Sequence, residues 1–419
     1  AEYGGINLPD DCREAARKAH TESYQAVGFG WDLGVRDGLD EPALKQLFRE
    51  RWEGLVESVN RQSSPGFPYR LNWQNNGKLF DNVEGQLCDA VYDRVRRIYY
   101  EDRDFKIFQG NRKGWIEQGL RDPPRLFAKK QAQKISKKLP RLIASISIVD
   151  QMVERFFFMS FADAECRAYP DLSSKKGIGF DEKHAALIGD QVLSISNVLG
   201  LPPVASDVKG WEKNFSQCLA DAHARHMIDT CRDLSECKAT LTKACSWWSN
   251  SLLTTPYVLD SGVLVNFDNT RVQRSGDFLT TSSNGFGRGT CAEAVGSFAI
   301  TMGDDSIEWN RLEVEALKER YNSVGVPVRD VEVQRGDDFV FCSHRYKQQD
   351  DGSWNCWLDS WQRMLYEASF SVDNLPGTLE NYLSEVRYMP SCEDKDRILA
   401  FLESRKVLLS AVAGHDKQE

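Results

Sequence analysis

The stretch AVGSFAITMGDDSIEW, residues 294–309, restricts the fold more than any other part of the chain. Nearly continuous apolar sequence leads into Gly-Asp-Asp, as expected of a strand buried on both faces in the middle of a sheet and ending in a tight turn. Two adjacent carboxylates on such a turn can hold a divalent metal, and they can equally cap a surface hairpin. The tripeptide recurs in QRGDDFVF, at 336–338, and a single copy is expected by chance on the order of 0.1 times in a chain this long. The flanks separate the two. Before the second copy stands VGVPVRDVEVQ, where Val alternates with charge and Pro327 interrupts, the mark of a half-exposed or edge strand. A catalytic metal site needs a rigid, partly dry support, which favours Asp304 and Asp305 over Asp337 and Asp338.

Spacing supports that choice. In RSGDFLTTSSNGFGRGTCAEAVGS, Ser275 and Gly276 precede Thr280 and Asn284, which stand four apart and face one way on a helix. From Asn284 to Gly303 is nineteen residues, room for the rest of a helix of about three turns and a strand of about five residues. Reaching Gly336 takes fifty-two and leaves a helix and a strand unexplained.

The bulk properties describe a globular chain. Its 419 residues are 41% hydrophobic and 27% charged, with 11 Trp and 21 Phe, enough for two or three cores. No stretch approaches the roughly 20 apolar residues of a membrane span, so an integral membrane protein is not expected. The chain begins at Ala1 without Met or a signal-peptide pattern, as a segment of a longer precursor or one expressed as such does. Eleven cysteines without a C-x2-C pair read as reduced thiols in packing roles in a cytosolic protein. His223 and His226 sit three apart on a probable helix; with no Cys or carboxylate at a matching offset, a solvated helix face is expected. The net charge of -9 excludes a surface coated in basic residues. Locally, RLFAKKQAQKISKKLPR, residues 125–141, carries seven Lys or Arg and no acid. A solvated loop is one reading. The β-like LIASISIV and the apolar-periodic helix that follow anchor the strip, which suits polyphosphate binding.

Helix and turn signals outline the remainder. Helical stretches such as EPALKQLFRERWEGLVESVNRQ are broken at SSPGFP. LPPVASDVKGW is a short strand, EKNFSQCLADAHARHMIDTCRDL a long helical stretch, and PYVLDSGVLVNF a hairpin about Asp-Ser-Gly. From about 346 the chain is expected to be mostly helical. A pair of divalent metals needs a third carboxylate. Asp207, at a strand end, is the best candidate, with a helix N-cap as its alternative.

The segments RLIASISIVDQMVERFFF with the basic residues before it, SDVKGWEKNF, RSGDFLTTSSN, MGDDSIE and FCSHRY, in this order over roughly residues 125–346, resemble the RNA-dependent RNA polymerases of positive-strand RNA viruses, most closely the sobemovirus and polerovirus-like group. The resemblance implies an α+β, right-hand fold with a central antiparallel palm sheet: fingers at 1–145 with a return at 228–272, palm at 146–227 and 273–345, and thumb at 346–419. It implies template-directed RNA synthesis with two Mg2+ or Mn2+ ions held by Asp207 and Asp304 with Asp305 assisting. Lys129 and Arg141 match positions that reach the nucleotide's phosphates; Ser275, Gly276, Thr280 and Asn284 match the ribose-reading set; Lys130, Lys134, Lys138, His344 and Arg345 match RNA or primer contacts. RNA template and product, ribonucleoside triphosphates and other replication proteins are the implied partners, a viral protein primer being one route of initiation beside de novo start, and the host cytoplasm the implied place.

Two positions depart from the family pattern. Glu212 stands where a second Asp is usual, five residues after Asp207, and the segment after the Gly-Asp-Asp turn offers Arg329 and Arg335 where a Lys general acid is usual. Two alternatives remain beside the polymerase reading. Against a reverse transcriptase, Asn284 and Ser275 suit a ribose; against a non-catalytic RNA-binding protein of the same fold, Asp207, Asp304 and Asp305 are intact.

Overall fold

Polar residues at segment boundaries set where many helices begin. Asp40, Asn75 and Asp181 each accept a hydrogen bond from the backbone N–H three residues on, satisfying a donor that the first turn leaves without a helical partner. The computed structural model describes residues 5–102, 104–128, 142–266, 273–370, 375–389, 391 and 393–415. Helices α1 (Asp10–Ala26), α2 (Glu41–Glu57), α3 (Asn76–Tyr100) and α4 (Gly114–Glu117) precede strands β1 (Arg125–Ala128) and β2 (Leu142–Ser145). Then follow α5 (Ile148–Ala168), α6 (Glu182–Leu199), β3 (Val204–Val208), α7 (Trp211–Asn214), α8 (Gln217–Asp229), α9 (Leu234–Thr254), β4 (Tyr257–Val258) and β5 (Leu264–Val265). The remainder is α10 (Thr280–Glu293), β6 (Phe298–Met302), β7 (Asp305–Trp309), α11 (Val314–Ser323), β8 (Val328–Val333), β9 (Asp338–Phe341), β10 (His344–Gln348), β11 (Trp354–Leu358), α12 (Trp361–Phe370), α13 (Leu375–Arg387) and α14 (Glu393–His415). The molecule is thus α+β.

Helix α5 is apolar around most of its circumference, with Phe156, Phe157, Phe158 and Phe161 all buried, so it can exist only as an interior helix. Each such side chain contributes about 1.5–3 kcal/mol of burial. The main core gathers around it from α1, α2, α3, α8, α9 and α10. A second core lies under β6, β7, β9 and β10, covered by Ile188 and Val192 of α6. A third joins Trp357 to Met364, Leu379, Leu383, Ile398 and Leu402 of the last three helices. No helix among the described residues is long and apolar enough to cross a membrane.

The sheet that matters most has the order β6-β7-β3-β8, every neighbouring pair antiparallel. Strand β6, expected in mid-sheet, lies at its edge. It is buried because Thr301 exchanges backbone hydrogen bonds with Ser173 and Lys175 across that edge, and α10 packs on it. Strand β8 is the half-exposed opposite edge, as its alternating Val predicts. Other expectations need correction. The long helical stretch after β3 breaks at Phe215, whose extended backbone separates α7 from α8. The chain beyond 346 is mostly helical, as expected, but only after β10 has run to Gln348 and β11 has completed the sheet β11-β10-β9. Trp354 and Cys356 of β11 belong to the second core, so the boundary expected at 345/346 cuts through a packed sheet. The hairpin at 257–265 is present but minimal, two residues per strand.

Candidate active site

Asp304 occupies the tip of the β6–β7 turn. Met302 and Asp305 pair across it, leaving Gly303 and Asp304 as the two central residues. Gly303 has φ +61° and Asp304 has no positive φ, the pattern of a type II′ hairpin, whose first central residue must be Gly. A Cβ at Gly303 would meet nothing within 4 Å, so conformation alone demands the glycine. Strand β3 pairs with β7 through Val204–Glu308 and Ala205–Ile307, and continuing that register sets Asp207 opposite Asp305. Crowding by the surrounding protein, then the neighbouring charges of Asp304 and Asp207, push the Asp305 carboxyl up to about 6, although its side chain still reaches solvent. On the other side of β3, Asp207 faces Asp330, and a bulge in the register makes Arg329 the extra residue. The bulge aims the guanidinium back across the strand, where it contacts Asp207 and lies 2.6 Å from Asp330. With Asp207 turned toward Arg329, the three aspartates are not drawn into a tight cluster. Among the described residues only Cys231, Asp233 and Cys237 bring three such donors within 4.8 Å of one another.

Beneath these strands lies a buried polar group that sequence reasoning missed. Arg288 of α10, fully buried, lies 3.0 Å from Glu308 and 3.2 Å from the Tyr321 hydroxyl and contacts Ser206. Tyr321 donates to the second Glu308 oxygen at 2.6 Å, and Ser206 donates to the first. Burial alone would pull the Arg288 pKa down; Tyr321 and Glu308 more than reverse this and hold it charged. Ser206 adjoins Asp207, so the network ties α10, β7, β3 and α11 together directly under the carboxylates.

The 275–284 segment is fixed just as firmly. Asp277 accepts from buried Arg121 at 3.0 Å and from the Trp248 indole at 3.1 Å, and Glu154 lies 2.5 Å from the same guanidinium. Glu154 also accepts from the Phe278 backbone N–H at 2.9 Å. Asp150 joins the cluster through Arg121 at 3.6 Å and pairs on its other side with Arg94 at 2.5 Å. Burial pushes the carboxyls of Glu154 and Asp150 up. Two acids one turn apart in VDQMVERFFF, on a helix that is otherwise mostly apolar, are the signal that could have revealed it. Above the cluster, Ser275 and Gly276 are exposed. A Cβ on Gly276 would lie 2.7 Å from the Ala144 carbonyl oxygen, so β2 runs tight against this turn.

Helix α10 then passes beside the Gly-Asp-Asp turn at Gly285, the residue after Asn284. The Thr301 hydroxyl donates to the Gly285 carbonyl at 3.0 Å, and a Cβ on Gly285 would stand 3.7 Å from the Gly303 backbone N. Asn284 is buried, and its side-chain oxygen has no hydrogen-bond partner within the protein. Glu212 is brought near: its carbonyl accepts from Gln273 N–H at 2.7 Å, while the Gln273 amide donates to Ser283 at 2.9 Å. The Thr280 hydroxyl donates to the carbonyls of Arg274 and Asp277, in the turn that leads into α10.

The second Gly-Asp-Asp is structural in its contacts. Asp337 takes a two-point contact from Arg335, at 2.6 and 2.9 Å. Asp338 opens β9 and accepts from Arg345 at 2.7 Å. Arg345, half-exposed, also reaches Asp359 at 3.0 Å. His344 is not on an open surface: it is buried, stacked on Phe180 at 3.6 Å, with Nδ1 2.8 Å from the Cys342 carbonyl oxygen. The turn joining β9 to β10, Cys342–Ser343, has φ of 52° and 63°, both left-handed and neither a glycine. Backbone strain of this kind costs on the order of 1–3 kcal/mol and collects at functional sites. Here it lies close enough to Asp304 and Asp305 that, after burial, their charges help push the Cys342 thiol up.

Other expected residues lie elsewhere. Lys129, Lys130, Lys134, Lys138 and Arg141 fall outside the described residues. His223 and His226, expected on a solvated face, are fully buried among Phe161, Trp248 and Phe286. An aromatic pocket accepts neutral imidazole rings as flat, weakly polar fillers, which the helical spacing alone does not show.

No family model matches the chain. Curated relatives do. Protein P1-P2 of pea enation mosaic virus-1 is 27% identical over 417 residues, covering 93% of this chain and 33% of that protein. The replicase polyproteins P2AB of cocksfoot mottle virus and southern bean mosaic virus are each 28% identical, covering 78% and 86% of this chain and 34% and 36% of theirs. The similarity to sobemovirus and polerovirus replicase polyproteins thus extends over most of the chain, in agreement with the resemblance carried by its motifs. The chain spans about a third of the length of these relatives.

Proposed function

We propose that this chain is a template-directed RNA polymerase, the nucleotidyl-transferring part of a viral replicase acting inside infected cells. The observation that carries the reading is the placing of Asp304 and Asp305, on one tight hairpin, beside the strand that bears Asp207, whose charge acts on Asp305. Oxygen donors of this kind suit Mg2+ or Mn2+. The upward push on Asp305 from its two neighbours is the repulsion that a divalent cation relieves, so the donor set fits such ions. Bound there, two cations supply activation of a primer hydroxyl and neutralisation of the triphosphate. The chain's own residues do the rest. Asn284 offers an unpartnered buried amide oxygen to a ribose hydroxyl beside the carboxylates, and the rigid Ser275–Gly276 turn lines the same approach. Leaving such polar groups unpaired penalises a deoxynucleotide. Arg329, which contacts Asp207, would give up that carboxylate to a cation held there. As guanidinium it holds its protons too tightly to act as general acid.

In this reading the sheet β6-β7-β3-β8 is the palm, 1–145 with 228–272 the fingers, and the last three helices the thumb, which begins after β11. The basic segment 125–141 meets the triphosphate and RNA through Lys129, Arg141 and the lysines between them, and Arg345 flanks the primer side. RNA template and product and ribonucleoside triphosphates are the ligands, replication proteins the partners, and the host cytoplasm the setting. Primer extension with ribonucleotides and Mg2+ tests it. Asp304→Asn is expected to abolish extension and Asp337→Asn to change it modestly. Extension that survives Asp304→Ala, or deoxynucleotides used as well as ribonucleotides, would overturn the assignment.

A further inference from the structure

We propose that Cys231, Asp233 and Cys237 form a structural site for a thiophilic divalent cation of the zinc class, at the turn between α8 and α9. The three residues come from one short segment: Cys231 follows α8, Asp233 immediately precedes α9, and Cys237 lies in the first turn of α9. Their donor atoms already stand in a triangle. The two Sγ atoms are 3.8 Å apart, and Asp233 Oδ1 is 3.0 Å from Cys231 Sγ and 3.5 Å from Cys237 Sγ. A tetrahedral zinc with ~2.3 Å bonds to sulfur and ~2.0 Å to oxygen sets its ligands roughly 3.8 Å apart for S–S and roughly 3.5 Å for S–O. The triangle therefore matches one face of such a tetrahedron, with one Cys–Asp edge short. Asp233 is partly exposed, while Cys231 and Cys237 are buried.

The surroundings orient the carboxylate. Leu33 N–H donates to Oδ1 at 2.9 Å and Gly34 N–H to Oδ2 at 2.8 Å, the backbone support that metal-ligating carboxylates characteristically receive. Trp31 bridges to Cys231, and Asp37 accepts from Ala239 and Thr240 N–H groups, so the segment 31–37 is strapped over the start of α9. Without a cation the strap hangs on hydrogen bonds, the thiols donating to Asp233. With one, each Sγ–H bond is replaced by an Sγ–metal bond, both protons pass to solvent, and the strap is clamped to α8 and α9. Neither the proposed polymerase chemistry nor its aspartates enter this site.

Cobalt titration of the full, metal-free chain tests the proposal, because a thiolate-to-cobalt charge-transfer band reports sulfur ligation and cannot arise at the aspartates. A saturable band is expected, bleached by added Zn2+, together with a rise in Tm on zinc addition. Cys231→Ser and Cys237→Ser should each remove the band, whereas Cys245→Ser, a buried thiol further along α9, should keep it. Should either serine variant fail to fold, Asp233→Asn serves, with cobalt affinity lowered roughly tenfold or more. A folded wild-type chain that gives no band would overturn the site. So would a band that persists when both cysteines are serine, or a Cys231–Cys237 disulfide in its place in chain purified under reductant.

Discussion

Glu308→Gln is the sharpest probe of how the carboxylates are held. The substitution keeps the shape of the side chain and removes its charge, leaving Arg288 charged and fully enclosed. Losing one partner of a buried ion pair costs about 3–5 kcal/mol, because the remaining charge has neither water nor counterion. For a cooperative unit of 150–250 residues, each kcal/mol lowers Tm by roughly 2–4 °C, so a drop of roughly 6–20 °C is expected in a thermal melt at neutral pH. Arg288→Met with Glu308→Leu removes both charges and should recover much of that loss. Recovery will be incomplete, since Tyr321 and Ser206 then lose acceptors inside the protein, at about 1–3 kcal/mol for each group left unpaired. Primer extension by Glu308→Gln, measured well below its Tm, should also fall, because Ser206 and Glu308 lie on the strands that carry Asp207 and Asp305. A Glu308→Gln melt within about 2 °C of wild type, or a double variant less stable than the single, would refute the reasoning.

Three further outcomes follow from the geometry. Burial pushes His20 down to about 4 and His223 down to about 3; below the ordinary histidine range of about 6.5 the unfolded chain takes up protons that the native one refuses, so stability should fall as pH drops from there toward 4, and the slope in acid melts should flatten in His223→Leu. Asp305 has the opposite sign: its folded pKa of about 6 exceeds its unfolded value, so its ionisation destabilises the metal-free chain as pH rises from about 4 through 6, and Asp305→Asn should raise Tm in chelator at pH 7 by the equivalent of about 1 kcal/mol or less after solvent screening, but not at pH 3.5. Gly276→Ala drives a Cβ against the Ala144 carbonyl, which should cost about 1–3 kcal/mol and raise the KM for nucleotide; unchanged Tm and KM would mean that the turn has slack.

What could be read from the residues was whatever local pattern determines. The alternating Val of β8 marked an edge strand, the Gly-Asp-Asp flanks separated two identical tripeptides, and the spacing from Asn284 fixed which hairpin it would meet. What could not be read depends on partners distant in sequence. Strand β6 looked central because burial was inferred from composition, yet its outer edge is covered by residues 173–175, a loop with no strand signature. Arg288 and Glu308 are ordinary charged residues on paper, and only the crossing of α10 beneath the sheet makes them a buried pair. The stacking of His344 on Phe180, from another segment, is equally invisible in the local sequence.

The position of β3 has a consequence for how the molecule is made. This strand ends at Val208, and both of its neighbours, β7 and β8, begin nearly a hundred residues or more later, at Asp305 and Val328. On the ribosome, at about 5–20 residues per second, the strand bearing Asp207 therefore emerges some seconds before anything exists for it to pair with. During that interval it offers both edges to solvent or to other chains. Slow closure of this sheet, with its long-range pairings, makes β3 the segment most in need of shelter during synthesis, and a nascent chain stalled before β7 should be markedly more prone to aggregate than one stalled after β8.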